Sequence, residues 1–133
     1  MRLWHYKLIP VLPRQQLLGQ HRECCALRGN GWGRKHATVD YVFRHSPWNL
    51  WLYHKMILAQ MCRRGYRYEA RWEDPFYRGL HCLPWADIAR TAIEAECPYT
   101  EHDEAYLHEC LENLQGKGIR VMPELLRRGD VIG

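Results

Sequence analysis

Acidic side chains are almost missing from the first half of this 133-residue chain. Residues 1–67 hold only Glu23 and Asp40 against 12 Lys/Arg, a balance of +10. Residues 68–133 reverse this, with 13 Asp/Glu against seven Lys/Arg, a balance of −6, and the whole chain returns to +4. Such a polarity has two explanations: the acidic half folds over the basic half, or a polyanion does. Of polyanions, nucleic acid fits better than a membrane surface, because no basic amphipathic anchor accompanies the charge. Other absences narrow the class further. No apolar run approaches the ~20 residues needed to cross a bilayer, and MRLWHYKLIPVLPRQ lacks a signal-peptide core and cleavage site. The expectation is a cytoplasmic, unprocessed protein whose six cysteines are reduced thiols. No Cys-x-x-Cys occurs; Cys24 and Cys25 are adjacent, and His21 with Cys24 is a spacing shared by many core pairs, so no metal or organic cofactor is expected. Phenylalanine is scarce, and 14 of the 16 aromatics are Trp or Tyr, a content that excludes a disordered tail. Nothing alternates with the period of a strand, and no repeat or low-complexity segment is present.

What remains is helical periodicity with clear punctuation, pointing to an all-α, single compact domain over residues 1–133. About four helices, an extended N-terminal arm and irregular loops make it up, and the tail 117–133 is unassigned. Residues 1–12 read as an extended apolar arm, since Pro10 and Pro13 break regular structure. Pro13 then suits the first turn of a helix reaching about Arg28. Gly29, Gly31 and Gly33 end it in the loop RGNGWGRK, which follows a helix and lacks a Gly-Lys-Ser/Thr ending, so it is not a P-loop. His36–His45 reads as a short helix with Val39, Val42 and Phe43 inward. Ser46 as N-cap and Pro47 at the first position open a central helix ending at Gly65, with Leu50, Tyr53, His54, Ile57, Leu58 and Met61 as its buried stripe. Residues 66–84 show no order, Pro84–Glu96 reads as a helix, and Thr100 with Asp103 resembles a capping box for a helix over 101–115.

The candidate chemistry lies on the first helix. Leu17, His21, Cys24, Cys25 and Arg28 fall on one face of it, and Glu23 points away with Gly19 one turn earlier on the same side. A lone carboxylate in cationic surroundings with bare backbone beside it suits a site acting on a polyanion; a solvated surface glutamate is the plain alternative. In the loop that follows, glycines allow close approach of a ligand, and Arg28, Arg34 and Lys35 are placed to meet phosphates. Trp32 either stacks on a base or wedges into a duplex, or covers the core.

Gln15-x-Leu17…Arg22-Glu23, at its distance from the amino terminus, resembles the corresponding stretch of the pyrimidine-dimer DNA glycosylases of the phage endonuclease V type. Gly33…His36 before an apolar helix, Arg64-Gly65-Tyr66 and Arg78-Gly79 resemble later junctions of that family, so the likeness spans roughly residues 1–80, with a looser similarity near 99–115. It implies an all-α enzyme without cofactor that binds duplex DNA carrying a damaged or abasic nucleotide, kinks it and flips a nucleotide out. By position it makes the terminal α-amine of Met1 the nucleophile, Glu23 the acid/base, Arg22 a phosphate clamp, and His36 a neighbour of the elimination step. An α-amine suits this role because its reference pKa is near 7.7–8.0 against about 10.4 for lysine. The chain departs from the family in three places. Arg28 stands displaced from the family's next arginine, GIRVMPELLRRGDVIG replaces an aromatic-rich tail, and Arg2 is bulky where the family has a small residue that permits removal of methionine. A non-catalytic nucleic-acid-binding protein is the alternative from another class, and a small metalloprotein using His21 and Cys24 a third.

Overall fold

The computed structural model describes residues 2–91 and 97–121, and among these there are helices and no strand. Three α-helices, α1 (Arg14–Arg28), α2 (Pro47–Arg63) and α3 (Glu104–Gly116), are joined by segments carrying 3-10 helices at Tyr6–Val11, Asp40–Arg44 and Ala70–Glu73. The all-α expectation holds. Within it, the expected helix over 36–45 is a 3-10 helix at Asp40–Arg44, and residues 84–91 are irregular.

α2 is the centre. Its predicted stripe, Leu50, Tyr53, His54, Ile57, Leu58 and Met61, is buried throughout and packs against Leu17, Cys24 and Leu27 of α1. Each such aliphatic side chain taken from water contributes about 1.5–3 kcal/mol. The ends follow local chemistry. Ser46 Oγ accepts from the Trp48 N–H at 3.1 Å ahead of Pro47. Past Arg63, Gly65 takes φ 78°, and its N–H and that of Tyr66 donate to Cys62 and Met61 at 3.0 and 2.8 Å, the Schellman pairing that requires a left-handed residue.

The N-terminal arm is not simply extended. Tyr6–Val11 forms a 3-10 helix with Pro10 inside it, and Leu3, Trp4, Leu8 and Ile9 are buried. Short 3-10 pieces tolerate proline better than an α-helix interior because fewer N–H groups are needed. The arm is pinned from two sides. Trp4 N–H donates to Gln20 Oε1 at 2.6 Å, and Gln20 Nε2 donates to the Arg2 carbonyl at 2.8 Å. Tyr106 of α3 donates to the Leu3 carbonyl at 2.5 Å, and His102 Nδ1 accepts from Tyr6 N–H at 3.1 Å.

Two expected helix boundaries are corrected. Asp103, not Thr100, caps α3, accepting from Tyr106 N–H at 2.9 Å, and the helix starts at Glu104. No helix forms over residues 84–91, and the rest of the expected Pro84–Glu96 helix, 92–96, lies outside the described residues. The backbone of that stretch pairs elsewhere: Trp85 N–H donates to Phe76 O at 3.0 Å, and the Ala89 carbonyl accepts from Ser46 Oγ at 2.5 Å.

Candidate active site

The outward side of α1 carries Gln15, Leu18, Gly19, Arg22, Glu23 and Ala26, spaced three and four residues apart. Arg14, Gln15, Leu18 and Arg22 line an open cleft of about 360 Å³ at its N-terminal end. Arg22 is exposed, whereas Glu23 is half-buried, and its Oε2 is out of water with no hydrogen-bond partner among the described residues. Buried polar atoms are rarely left so, since each costs on the order of 1–3 kcal/mol. A sheltered carboxylate oxygen without a donor is open to a proton or hydroxyl brought by a ligand. A Cβ at Gly19 would meet only Arg22 Nη2, at 3.6 Å, so nothing in the protein itself demands glycine there.

The Gln20 clamp ties the Arg2 carbonyl to the same helix, three residues before Glu23. Met1 itself lies outside the described residues.

Arg28 is corrected from a DNA contact to an interior residue. It is 0% exposed; Nη1 donates to His54 Nδ1 at 2.9 Å and to Trp72 O at 2.8 Å, and Nη2 donates to Asp74 O at 2.6 Å and to Tyr77 O at 2.9 Å. The guanidinium also lies over the Trp72 ring. Burial lowers its pKa to about 10, so it remains a cation at neutral pH, held by carbonyl dipoles rather than a carboxylate. Four of its N–H groups are committed and the fifth, on Nε, is buried without a partner among the described residues, so none faces solvent to meet a phosphate. The signal was available, because Arg28 falls on the apolar stripe of its helix.

Trp32 is likewise drawn inward, edge-on to Phe43 at 5.1 Å and to Trp85 at 5.6 Å. The loop glycines serve the protein's own backbone: a Cβ at Gly31 would lie 2.7 Å from Ala26 O, and one at Gly29 3.0 Å from Arg78 O. Arg34 and Lys35 are exposed, as a phosphate contact requires, and Arg34 Nε donates to Asn30 O at 2.9 Å. His36 is half-buried, with its backbone N–H bonded to Asp40 Oδ1 at 2.9 Å.

Beneath the site, ligand atoms of His21, Cys25 and His54 lie within 4.8 Å of one another. Arg28 can only donate, so His54 Nδ1 accepts, and the ring proton of neutral His54 sits on Nε2, pointing at His21 Nδ1 2.9 Å away. Burial holds His54 well below the ordinary histidine pKa. A metal on His54 Nε2 would need that proton moved to Nδ1, against the guanidinium. The trio is a hydrogen-bonded chain into which a cation does not fit.

An all-α fold whose first long helix sets a sheltered carboxylate beside an exposed arginine is an arrangement suited to a polyanion. The family model of pyrimidine dimer DNA glycosylase matches residues 1–74, more than half the chain, including Arg22, Glu23, Arg34, Lys35 and His36, so the chain belongs to that family. Membership supports a DNA glycosylase function, with DNA as the partner. No curated protein and no solved structure matches the chain.

Proposed function

We propose that the protein is a DNA glycosylase with abasic-site lyase activity, acting on damaged duplex DNA through an imine to the α-amine of Met1, with Glu23 as acid/base. The observation that carries this is Glu23, whose desolvated, unpartnered oxygen lies within the segment the family matches. The clamped Arg2 carbonyl adds support. It fixes residue 2, the neighbour of the proposed nucleophile in the chain, on the helix that carries Glu23.

In the reaction the amine attacks C1′ as the base–sugar bond breaks and the base leaves with its bonding pair. Loss of an amine proton and opening of the sugar ring yield the imine. Glu23 takes a proton from C2′, the C3′–O bond breaks with the 3′ phosphate as leaving group, and water then hydrolyses the imine to free the amine. Arg22 meets a phosphate beside the flipped nucleotide, and Arg34, Lys35 and His36 contact the strand beyond.

Duplexes carrying a cyclobutane dimer or an abasic site test this, with borohydride to trap the imine and peptide mapping to place it. Strand cleavage with an adduct on Met1 is the expected result. An adduct on a lysine side chain, or cleavage without any adduct, overturns the amine's role; binding with no cleavage of either duplex leaves a binding protein that kept the fold.

A further inference from the structure

Large apolar side chains are buried nearly everywhere among the described residues, with Phe76, Leu80 and Leu83 as the exposed ones, the leucines at 75% and 86%. Both leucines sit on one loop, Phe76–Trp85, closed at its base by Trp85 N–H on Phe76 O at 3.0 Å. That base is fastened to the end of α1. Arg78 Nε donates to the Arg28 carbonyl at 2.8 Å, Arg78 Nη2 to the Gly29 carbonyl at 3.1 Å, and its guanidinium lies over Trp85. Cys82 Sγ–H donates to Asn30 Oδ1 at 3.1 Å, setting the leucine loop beside the glycine loop that carries Arg34 and Lys35. The leucines are therefore displayed from a fixed base.

We propose that Leu80 and Leu83 form an apolar wedge that enters the base stack of duplex DNA next to the nucleotide acted on. This rests on the function proposed above and supplies the element that opens the duplex for it. Duplex DNA is the occupant because the surface is apolar at its tip and cationic at its rim. Residues 24–39 and 75–86 contain no acid, while Arg34 and Lys35 are exposed alongside. Such a surface meets phosphates at its edge and unstacked bases at its centre. The placement agrees with the site. Leu80 lines one cleft together with Cys25, Ala26 and Gly29, the last turn of the helix that carries Glu23. Trp32, the aromatic a wedge would otherwise use, is packed against Phe43 and Trp85.

The test compares wild type with Leu80→Ala/Leu83→Ala and with Leu80→Phe/Leu83→Phe. Two readouts are taken on abasic and dimer duplexes: fluorescence of 2-aminopurine placed beside the lesion, and single-turnover strand cleavage. Both side chains are exposed, so all three proteins should share one melting temperature. Expected for the alanine pair is loss of most of the 2-aminopurine rise and a cleavage rate lower by about tenfold or more on a paired duplex. The loss should shrink when the lesion faces a mismatch that already weakens stacking, and the phenylalanine pair should restore the signal. If wild type brightens 2-aminopurine and the alanine pair does not, the wedge stands even where no protein cleaves, and only the catalytic reading fails. An alanine pair equal to wild type in fluorescence and cleavage, or a wild type that leaves 2-aminopurine quenched on every duplex, overturns the wedge.

Discussion

At the scale of single residues, two charged side chains of α1 are sheltered to different depths. Glu23 is half-sheltered, with one oxygen lacking a partner, and Arg28 is an interior post rather than a surface clamp. Glu23→Gln preserves shape and removes proton transfer, so cleavage of abasic DNA should fall by roughly 10²-fold or more while affinity holds or rises. Wild-type cleavage by that variant would make the carboxylate a bystander. Arg28→Met strands buried acceptors on Trp72, Asp74, Tyr77 and His54. It should lower unfolding free energy by about 3–5 kcal/mol, read from the urea midpoint. Arg28→Met also removes the charge, and the salt dependence of the folded variant's DNA binding should match wild type, which a phosphate clamp would not allow.

At the scale of elements, the glycines separate into two kinds. Gly31 faces the Ala26 carbonyl so closely that Gly31→Ala must displace the loop from the end of α1, and the melting temperature should drop. Gly19 has ordinary contact distance around it. Gly19→Ala therefore should raise stability by about 0.5–1 kcal/mol through helix propensity, yet weaken lesion-DNA binding if DNA lies against that bare backbone. A stabilised variant with unchanged DNA affinity would show that the patch is unused. The leucine loop adjoins the end of α1, where Leu80 lines a cleft with Ala26 and Cys82 bonds Asn30 of the glycine loop.

At the scale of the whole molecule, four histidines, His5, His21, His54 and His102, are held below their ordinary pKa, chiefly by burial. His102 is lowered to about 3; its Nδ1 accepts from Tyr6 N–H, so protonating that nitrogen sets two donors face to face. Unfolded, these side chains bind protons from about pH 6.5 downward, while the folded state resists. Stability is therefore whole above pH 6.5 and is lost as pH falls, down to about 3 for His102, at up to about 1.4 kcal/mol per pH unit per histidine. Urea midpoints at pH 7.5 and 5.0 should show the decline; a flat profile would contradict the buried neutral rings. The +10 half makes the companion prediction for DNA. Log K should fall linearly with log salt at about −0.9 per phosphate neutralised, and Arg22→Ala, Arg34→Ala and Lys35→Ala should each lessen the slope. Binding indifferent to salt would exclude those side chains from the interface.

The features readable from the chain alone are those written in local rules. Ser46-Pro47 starts α2 and Gly65 ends it because a cap and a left-handed residue act within one turn. The α2 stripe is buried because its spacing repeats with the helix, and Arg22-Glu23 stands within the segment that the family matches. Tertiary structure alone decided what depends on distant partners. Arg28 meets carbonyls 44 to 49 residues away, and thereby orders a stretch from Trp72 to Tyr77 that has no periodicity of its own. Tyr106 holds Leu3 from 103 residues away and anchors the arm. Asp103 displaces Thr100 as the cap, and residues 84–91 give their backbone to Phe76 and Ser46 instead of to a helix. Arginine and tryptophan suit either phosphate and base or carbonyl and core. Which of these each one meets depends on what the folded chain brings within about 3 Å of it, and no local pattern encodes that.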